Sequence, residues 1–251
     1  MYKEDNELTM IYGTRAVIEA LQAGKEFEKV FVQHGLNNPL ARELKSELES
    51  AGLHFQSVPV EKLNRLTRNN HQGVIAYLST VSYCKVEEII PGIFEAGKTP
   101  LLLILDRITD TRNLGAIART AECTGVQAII IPSRGSALIT ADAVKTSAGA
   151  LHHLPICRED NLKDTIDYLK SCGIKVVACS EKTDAHARDK DLTGPMAIIM
   201  GSEENGVSQE YIKRSDDIVK LPMEGTVASY NVSVATGMVL YEVVCQRRIS
   251  K

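Results

Sequence analysis

The stretch Leu101-Leu102-Leu103-Ile104-Leu105-Asp106-Arg107-Ile108-Thr109-Asp110-Thr111-Arg112-Asn113-Leu114-Gly115-Ala116-Ile117-Ala118-Arg119-Thr120-Ala121 decides the fold. Leu101 to Leu105 are consecutive apolar residues, which read as a strand covered on both faces, the habit of parallel sheets walled by helices. A polar turn follows. From Asn113, a predicted N-cap, Leu114, Ile117, Ala118 and Ala121 recur at helical spacing. Arg119 lies two residues past Ile117, so at ~100° per residue it points nearly opposite that core-facing side chain and is free to meet a ligand.

The pattern continues downstream. Ala128 to Ile131, Lys175 to Cys179, Ala197 to Met200 and Ile218 to Leu221 read as further buried strands, alternating with helical stretches. That order predicts an α/β domain, a mainly parallel sheet with helices on both faces. Binding sites in such sheets gather at the carboxyl ends of the strands. Two more polar segments stand there: Gly201-Ser202-Glu203-Glu204-Asn205-Gly206 after one strand, and Leu221-Pro222-Met223-Glu224-Gly225-Thr226-Val227-Ala228-Ser229-Tyr230-Asn231-Val232-Ser233-Val234-Ala235 after another. No G-x-G-x-x-G follows a strand and opens a helix, which removes the dinucleotide fingerprint. No Gly-Lys-Ser/Thr closes Gly201 to Gly206, which removes a Walker loop.

Upstream, helical patterns at Arg15 to Leu21, Pro39 to Ser50 and Val60 to Arg68 alternate with strands at Lys29 to Gln33, Phe55 to Val58 and Val74 to Ser79. This is a small α/β unit over residues 1–80. Residues 81–98, with Pro91, Gly92 and Gly97, read as a connector holding one short helix, and 99–251 as the second domain.

Composition narrows the class. A hydrophobic content of 44% supports packed cores in 251 residues. No apolar run approaches the ~20 residues of a membrane span. Met1 to Asn6 are polar and partly acidic, unlike a secretory leader, so a soluble cytoplasmic chain is expected. The six cysteines form no C-x-x-C pair and read as buried reduced thiols. His152-His153 is the only close histidine pair, and adjacent residues do not converge on one metal, so no metal site is expected. The net charge of −3 argues against holding nucleic acid by bulk electrostatics. Any such contact must be local. Candidates are Arg65, Arg68 and His71 in the first unit, Arg107 and Arg112 near the opening stretch, and also Arg119, Arg134 and Lys145.

Taken together, in this order and spacing over residues 101–245, the three polar segments resemble the three signature motifs of the SpoU/TrmH-type (SPOUT class) RNA ribose 2'-O-methyltransferases. Tyr12-Gly13-Thr14-Arg15-Ala16-Val17 with Glu19-Ala20-Leu21, and His71-Gln72-Gly73-Val74, resemble the substrate-binding domain of the ribosomal-RNA branch of that family. The resemblance implies S-adenosylmethionine as cofactor and an RNA substrate, a guanosine of 23S ribosomal RNA. It also implies a C-terminal trefoil knot, which connection rules would never suggest, and a homodimer. Val234, Ala235, Met238, Val239, Tyr241, Val243 and Cys245 give the last helix, from about Val232 to Arg247, more apolar surface than one stripe needs, which fits a subunit contact as well as a core.

Carried over motif by motif, the resemblance makes Asn113, Arg119, Glu203, Ser229 and Asn231 the catalytic constellation. Arg119 is either the base for the hydroxyl or a clamp for the alkoxide or a neighbouring phosphate; guanidinium normally stays protonated and only donates. Asn113, Ser229 and Asn231 orient, while capping helices as well. Cofactor contacts map to Gly201, Leu221, Met223 and Tyr230, with Ile131 and Ser180. Two residues depart from the motif: Glu204 stands where Gly is common, which puts the loop's conformation in question, and Tyr230 where Leu is usual. Alternatives are a tRNA-directed enzyme, which usually lacks the leading domain, a resistance enzyme acting on ribosomal RNA, and a non-catalytic RNA-binding or assembly protein.

Overall fold

The computed structural model describes residues 8–249; the segment Met1 to Asn6, read above as unlike a secretory leader, lies outside them. The chain divides into two compact units, Met1–Ser82 with Ile139–Ala141, and Tyr83–Leu138 with Asp142–Lys251.

The first unit contains β1 (Met10–Tyr12), α1 (Thr14–Gln22), β2 (Phe27–Gln33), α2 (Pro39–Ser50), β3 (Phe55–Val58), α3 (Val60–Leu66) and β4 (Val74–Leu78). Its sheet runs β1-β4-β2-β3, antiparallel except between β2 and β3. Period-two alternation gives the sheet two apolar faces. Val30, Val32, Val74 and Ala76 meet Val17 and Ile18 of α1 and Leu44 and Leu48 of α2. Phe31 and Ile75 meet Leu63 of α3 on the other face. Pro39 at the first turn and Asn38 Oδ1, which accepts from Ala41 N at 2.8 Å, fix where α2 begins.

The second unit runs β5 (Tyr83–Cys84), α4 (Val86–Glu95), β6 (Leu101–Asp106), α5 (Thr111–Cys123), β7 (Ala128–Pro132), α6 (Ala141–Thr146), β8 (Ile156–Glu159), α7 (Leu162–Ser171), β9 (Lys175–Cys179), β10 (Met196–Gly201), α8 (Gln209–Arg214), β11 (Asp217–Val219) and α9 (Val232–Ile249). Its seven strands lie in the order β11-β9-β10-β6-β7-β8-β5, every pair parallel. Leu102, Ile104, Ile130, Val176 and Ile199 form a core with Ile90 of α4, Ile166 of α7 and Ile212 of α8. The alternate residues Leu101, Leu103 and Leu105 are equally buried. On that side α9 packs against β10 and α5 against α9.

Residues 81–98 are not a loose connector. β5 pairs with β8 at the sheet edge, and Val86, Ile90 and Ile93 of α4 join the core. The helical spacing of those three residues outweighs Pro91, which sits on the exposed side and removes one backbone donor. Asn113 is not the N-cap of α5. That role falls to Asp110, whose Oδ1 accepts from Arg112 N at 2.7 Å and Asn113 N at 2.8 Å. The cysteines are free thiols, Cys157 buried as expected but Cys123 exposed. Among the described residues no helix is long and apolar enough to cross a membrane, and no group of three or more His, Cys, Asp or Glu could hold a metal ion.

Candidate active site

β6 and β10 are neighbours in register, Asp106 opposite Gly201, so the first two polar segments leave the sheet side by side. The third leaves β11. All three emerge at carboxyl ends of parallel strands, where the crossovers leave open clefts.

Their polar side chains close on one another. Asn113 Nδ2 donates to Glu203 Oε1 at 3.1 Å, and Asn231 Nδ2 donates to the same oxygen at 2.5 Å and to Asn113 Oδ1 at 3.0 Å. Val232 N, in the first turn of α9, donates to Glu203 Oε1 at 3.3 Å, placing a carboxylate where a helix end favours negative charge. Asn231 Oδ1 accepts from Ser233 N at 3.0 Å and Val234 N at 3.4 Å, so Asn231 also caps α9. Both its amide hydrogens and its oxygen are engaged, and its orientation is therefore fixed. Glu203 Oε2 accepts no hydrogen bond within the described residues and stays available to a ligand.

This triangle stands beside two clefts. One, about 290 Å³, is lined by Arg107 to Asp110, Asn113, Ser202 to Asn205 and Val232. The other, about 410 Å³, is walled by Cys179 to Glu181, Met200 to Gly206, Lys220, Leu221, Met223, Ala228 to Tyr230, Val232 and Ala235. Ser202 to Asn205 and Val232 belong to both.

Gly201, Ser180, Leu221, Met223, Tyr230 and Ser229 all line the larger cleft, together with Glu203. Tyr230 donates its hydroxyl to Pro222 O at 2.9 Å, tying the two ends of the third loop. Glu204 holds an ordinary φ, since among the described residues only Gln72, Arg107 and Ala148 of the non-glycines are positive, so the loop does not require Gly there. Gly201 is irreplaceable, because a Cβ on it would stand 2.0 Å from Gly206 C. Sequence reasoning missed Cys179 and Glu181 in this wall; burial pushes the Cys179 thiol up to about 12, which keeps it neutral.

Other candidates fall elsewhere. Ile131 is 1% exposed inside β7 and lines neither cleft, so its side chain packs the core. Arg119 is exposed on α5, with no hydrogen-bond or ion-pair partner among the described residues, and lies in neither wall. Arg112 is also exposed, 3.8 Å from Asp142 Oδ2. Arg65 and Arg68 are exposed in the first unit. His71 is corrected: it is buried, its ring nitrogens lying 2.9 Å from Asn64 Oδ1 and 3.0 Å from Gly73 N, so both are spent inside the protein. Arg107 is largely engaged too, its Nε 2.8 Å and Nη2 3.0 Å from the carboxylate of buried Asp106, and that hydrogen bond raises its pKa further.

Comparison with known proteins agrees with this geometry. Residues 100–241 match the SpoU rRNA Methylase family, and residues 10–84 match RNA 2'-O ribose methyltransferase substrate binding. YacO of Bacillus subtilis (strain 168), a TrmH family tRNA/rRNA methyltransferase candidate, is 34% identical over 237 residues, covering 94% of this chain and 95% of its own. The SpoU methyltransferase AviRb from Streptomyces viridochromogenes, solved with its cofactor AdoMet, is 25% identical with a TM-score of 0.61, covering 96% of this chain and 91% of that one. The AdoMet-bound rRNA methyltransferase from Sinorhizobium meliloti is 26% identical with a TM-score of 0.59, covering 93% and 85%. Matched by the family model over more than half its length, and by full-length relatives across both units, this chain belongs to the SpoU family of RNA methyltransferases.

Proposed function

We propose that the protein transfers a methyl group from S-adenosylmethionine to the 2'-hydroxyl of a guanosine in 23S ribosomal RNA. The observation that carries this reading is the Asn113–Glu203–Asn231 triangle, which joins all three polar segments at Glu203, a residue of the wall shared by two clefts. The residues of the larger cleft fit the cofactor. Its volume suits a small molecule, Leu221, Met223 and Tyr230 offer apolar and aromatic surface to an adenine, and the backbone N–H groups of Leu221 and of Met223 to Ser229 have no partner among the described residues. When bound, the cofactor supplies an activated methyl group on a sulfonium.

The protein's task is alignment and proton handling. In this reading Glu203 Oε2 accepts the hydrogen of the ribose hydroxyl, Asn113 and Asn231 hold the carboxylate still, and Ser229 orients the neighbouring atoms. Arg119 supplies positive charge to the forming alkoxide or an adjacent phosphate. Its place outside both walls fits a role on RNA or across a subunit contact. Val234, Met238 and Tyr241 share one face of α9 and are 53%, 38% and 67% exposed, which supports the homodimer. The trefoil knot belongs to the same proposal.

Residues 10–84 match a family for RNA substrate binding, and we read this leading domain, which tRNA-directed enzymes of the type usually lack, as support for ribosomal RNA, with Arg65 and Arg68 as contacts, in a cytoplasmic enzyme. Mapping ribose methylation in total RNA from a deletion strain tests it. Loss of one 2'-O-methylguanosine from 23S RNA is expected; loss from tRNA alone contradicts the assignment.

A further inference from the structure

Arg107 adopts φ +57°, a left-handed backbone that residues with a side chain avoid. It stands between two loops. Its guanidinium grips Asp106, the 2% exposed carboxylate at the end of β6, through Nε at 2.8 Å and Nη2 at 3.0 Å. Nη2 also donates to Gly206 O at 3.2 Å, across 99 positions of sequence. Asp106 Oδ2 accepts in turn from Ser208 N at 2.7 Å. The far loop is closed on itself, with Gly206 N donating to Ser202 O at 2.8 Å. The loop bearing Glu203 is therefore anchored at its base by Arg107 and Asp106, and at Glu203 itself by Asn113 and Asn231.

We infer that Arg107 is a positioning residue for methyl transfer: it sets the Ser202–Gly206 loop, and hence Glu203, rather than contacting RNA. Its charge is matched by Asp106, and the other charged side chains of the smaller cleft, Asp110, Glu203 and Glu204, are all acidic. A phosphate would find little attraction there. The left-handed backbone is what the neighbouring interactions sustain, because they aim the fork back at the residue preceding it and over to the next loop. A planar, multi-donor guanidinium can hold the carboxylate and a carbonyl at once; an ammonium cannot reproduce that fork. Since Ser202 to Asn205 are common to both clefts, a small shift of this loop misaligns donor and acceptor together, and misplacement of about 1 Å costs up to ~100-fold in rate. The inference rests on the functional reading above.

The test compares Arg107→Gly, Arg107→Ala and the wild type. Glycine accepts the left-handed backbone freely whereas alanine does not, so the two variants differ in Tm while lacking the same fork. Both are expected to lose tenfold or more in kcat, with KM for RNA within twofold and the salt dependence of RNA binding unchanged. Hydrogen exchange at the amides of Ser202 to Ser208 is expected to quicken in both. Losses that track Tm, an unchanged kcat, or a raised KM with a shallower salt dependence would overturn the inference. So would unchanged exchange, a readout that needs no turnover. A wild type that transfers no methyl to RNA contradicts the functional reading instead, and leaves the exchange result to decide the role of Arg107.

Discussion

Asn231 donates its side-chain amide to Asn113 Oδ1 at 3.0 Å across 118 positions of sequence, so the start of α9 is fastened to the first turn of α5. Both share Glu203 Oε1 as a second acceptor. Asn231→Asp keeps the oxygen that caps α9 but removes the two donors and adds a charge beside Glu203. It is expected to lower Tm by a few degrees, since the cap is kept while two donated hydrogen bonds, each worth about 1 kcal/mol, are lost, while lowering single-turnover methyl transfer more than tenfold. Thermal unfolding and rapid-quench kinetics on the same preparation check this; equal turnover would remove Asn231 from the orienting set.

Arg119→Lys is expected to fold and bind cofactor normally, because the side chain is exposed on α5 and lines neither cleft. Activity at neutral pH should fall at least tenfold if the planar fork is needed. A pH–rate profile separates the two roles. Recovery at high pH marks a base, since an amine deprotonates below guanidinium; a flat loss marks a clamp.

Removal of residues 1–82 is expected to leave cofactor affinity within about threefold and to weaken RNA binding strongly, as separate compact units can fold alone. Removal of residues 1–98 should instead lower stability by several kcal/mol, since it strips Val86, Ile90 and Ile93 from the core. Calorimetry on both fragments measures the difference.

That contrast shows where the sequence was legible. Leu101 to Leu105 and Ala197 to Met200 announced buried parallel strands because both faces of each are covered, leaving an unbroken apolar run. β5 has only two residues, too short for any periodicity, and although one short helix was expected within 81–98, Pro91 and Gly92 made it read as part of a connector rather than of the core. Asp110 and Asn113 are both good caps, and only the fold shows that Asp110 holds the two free N–H groups. His71 looked like a surface contact because burial and satisfied ring nitrogens leave no mark on the chain. The motif residues themselves were visible. Their convergence on one carboxylate was not, since it depends on β6 and β10 lying side by side.

At the sheet edge, hydrogen bonds from Lys175 and Lys190, at 2.7 Å each, hold the Asp217 carboxyl below its ordinary range. A depressed acid contributes stability above its unfolded pKa and loses it as pH falls through the folded value. Asp217→Asn is therefore expected to lower Tm at pH 7, by an amount equivalent to about 1 kcal/mol or less given partial exposure. That penalty should vanish under strongly acid conditions. A penalty that is constant from pH 7 to pH 2 would place its origin elsewhere.

The most direct test of the central claim is to incubate the purified protein with methyl-labelled S-adenosylmethionine and unmodified 23S ribosomal RNA, digest to nucleosides and locate the label. Label is expected in 2'-O-methylguanosine from wild-type protein, with a loss of at least tenfold for Asn231→Asp. Label on a base, label only when tRNA replaces ribosomal RNA, or full transfer by the Asn231→Asp variant would contradict it.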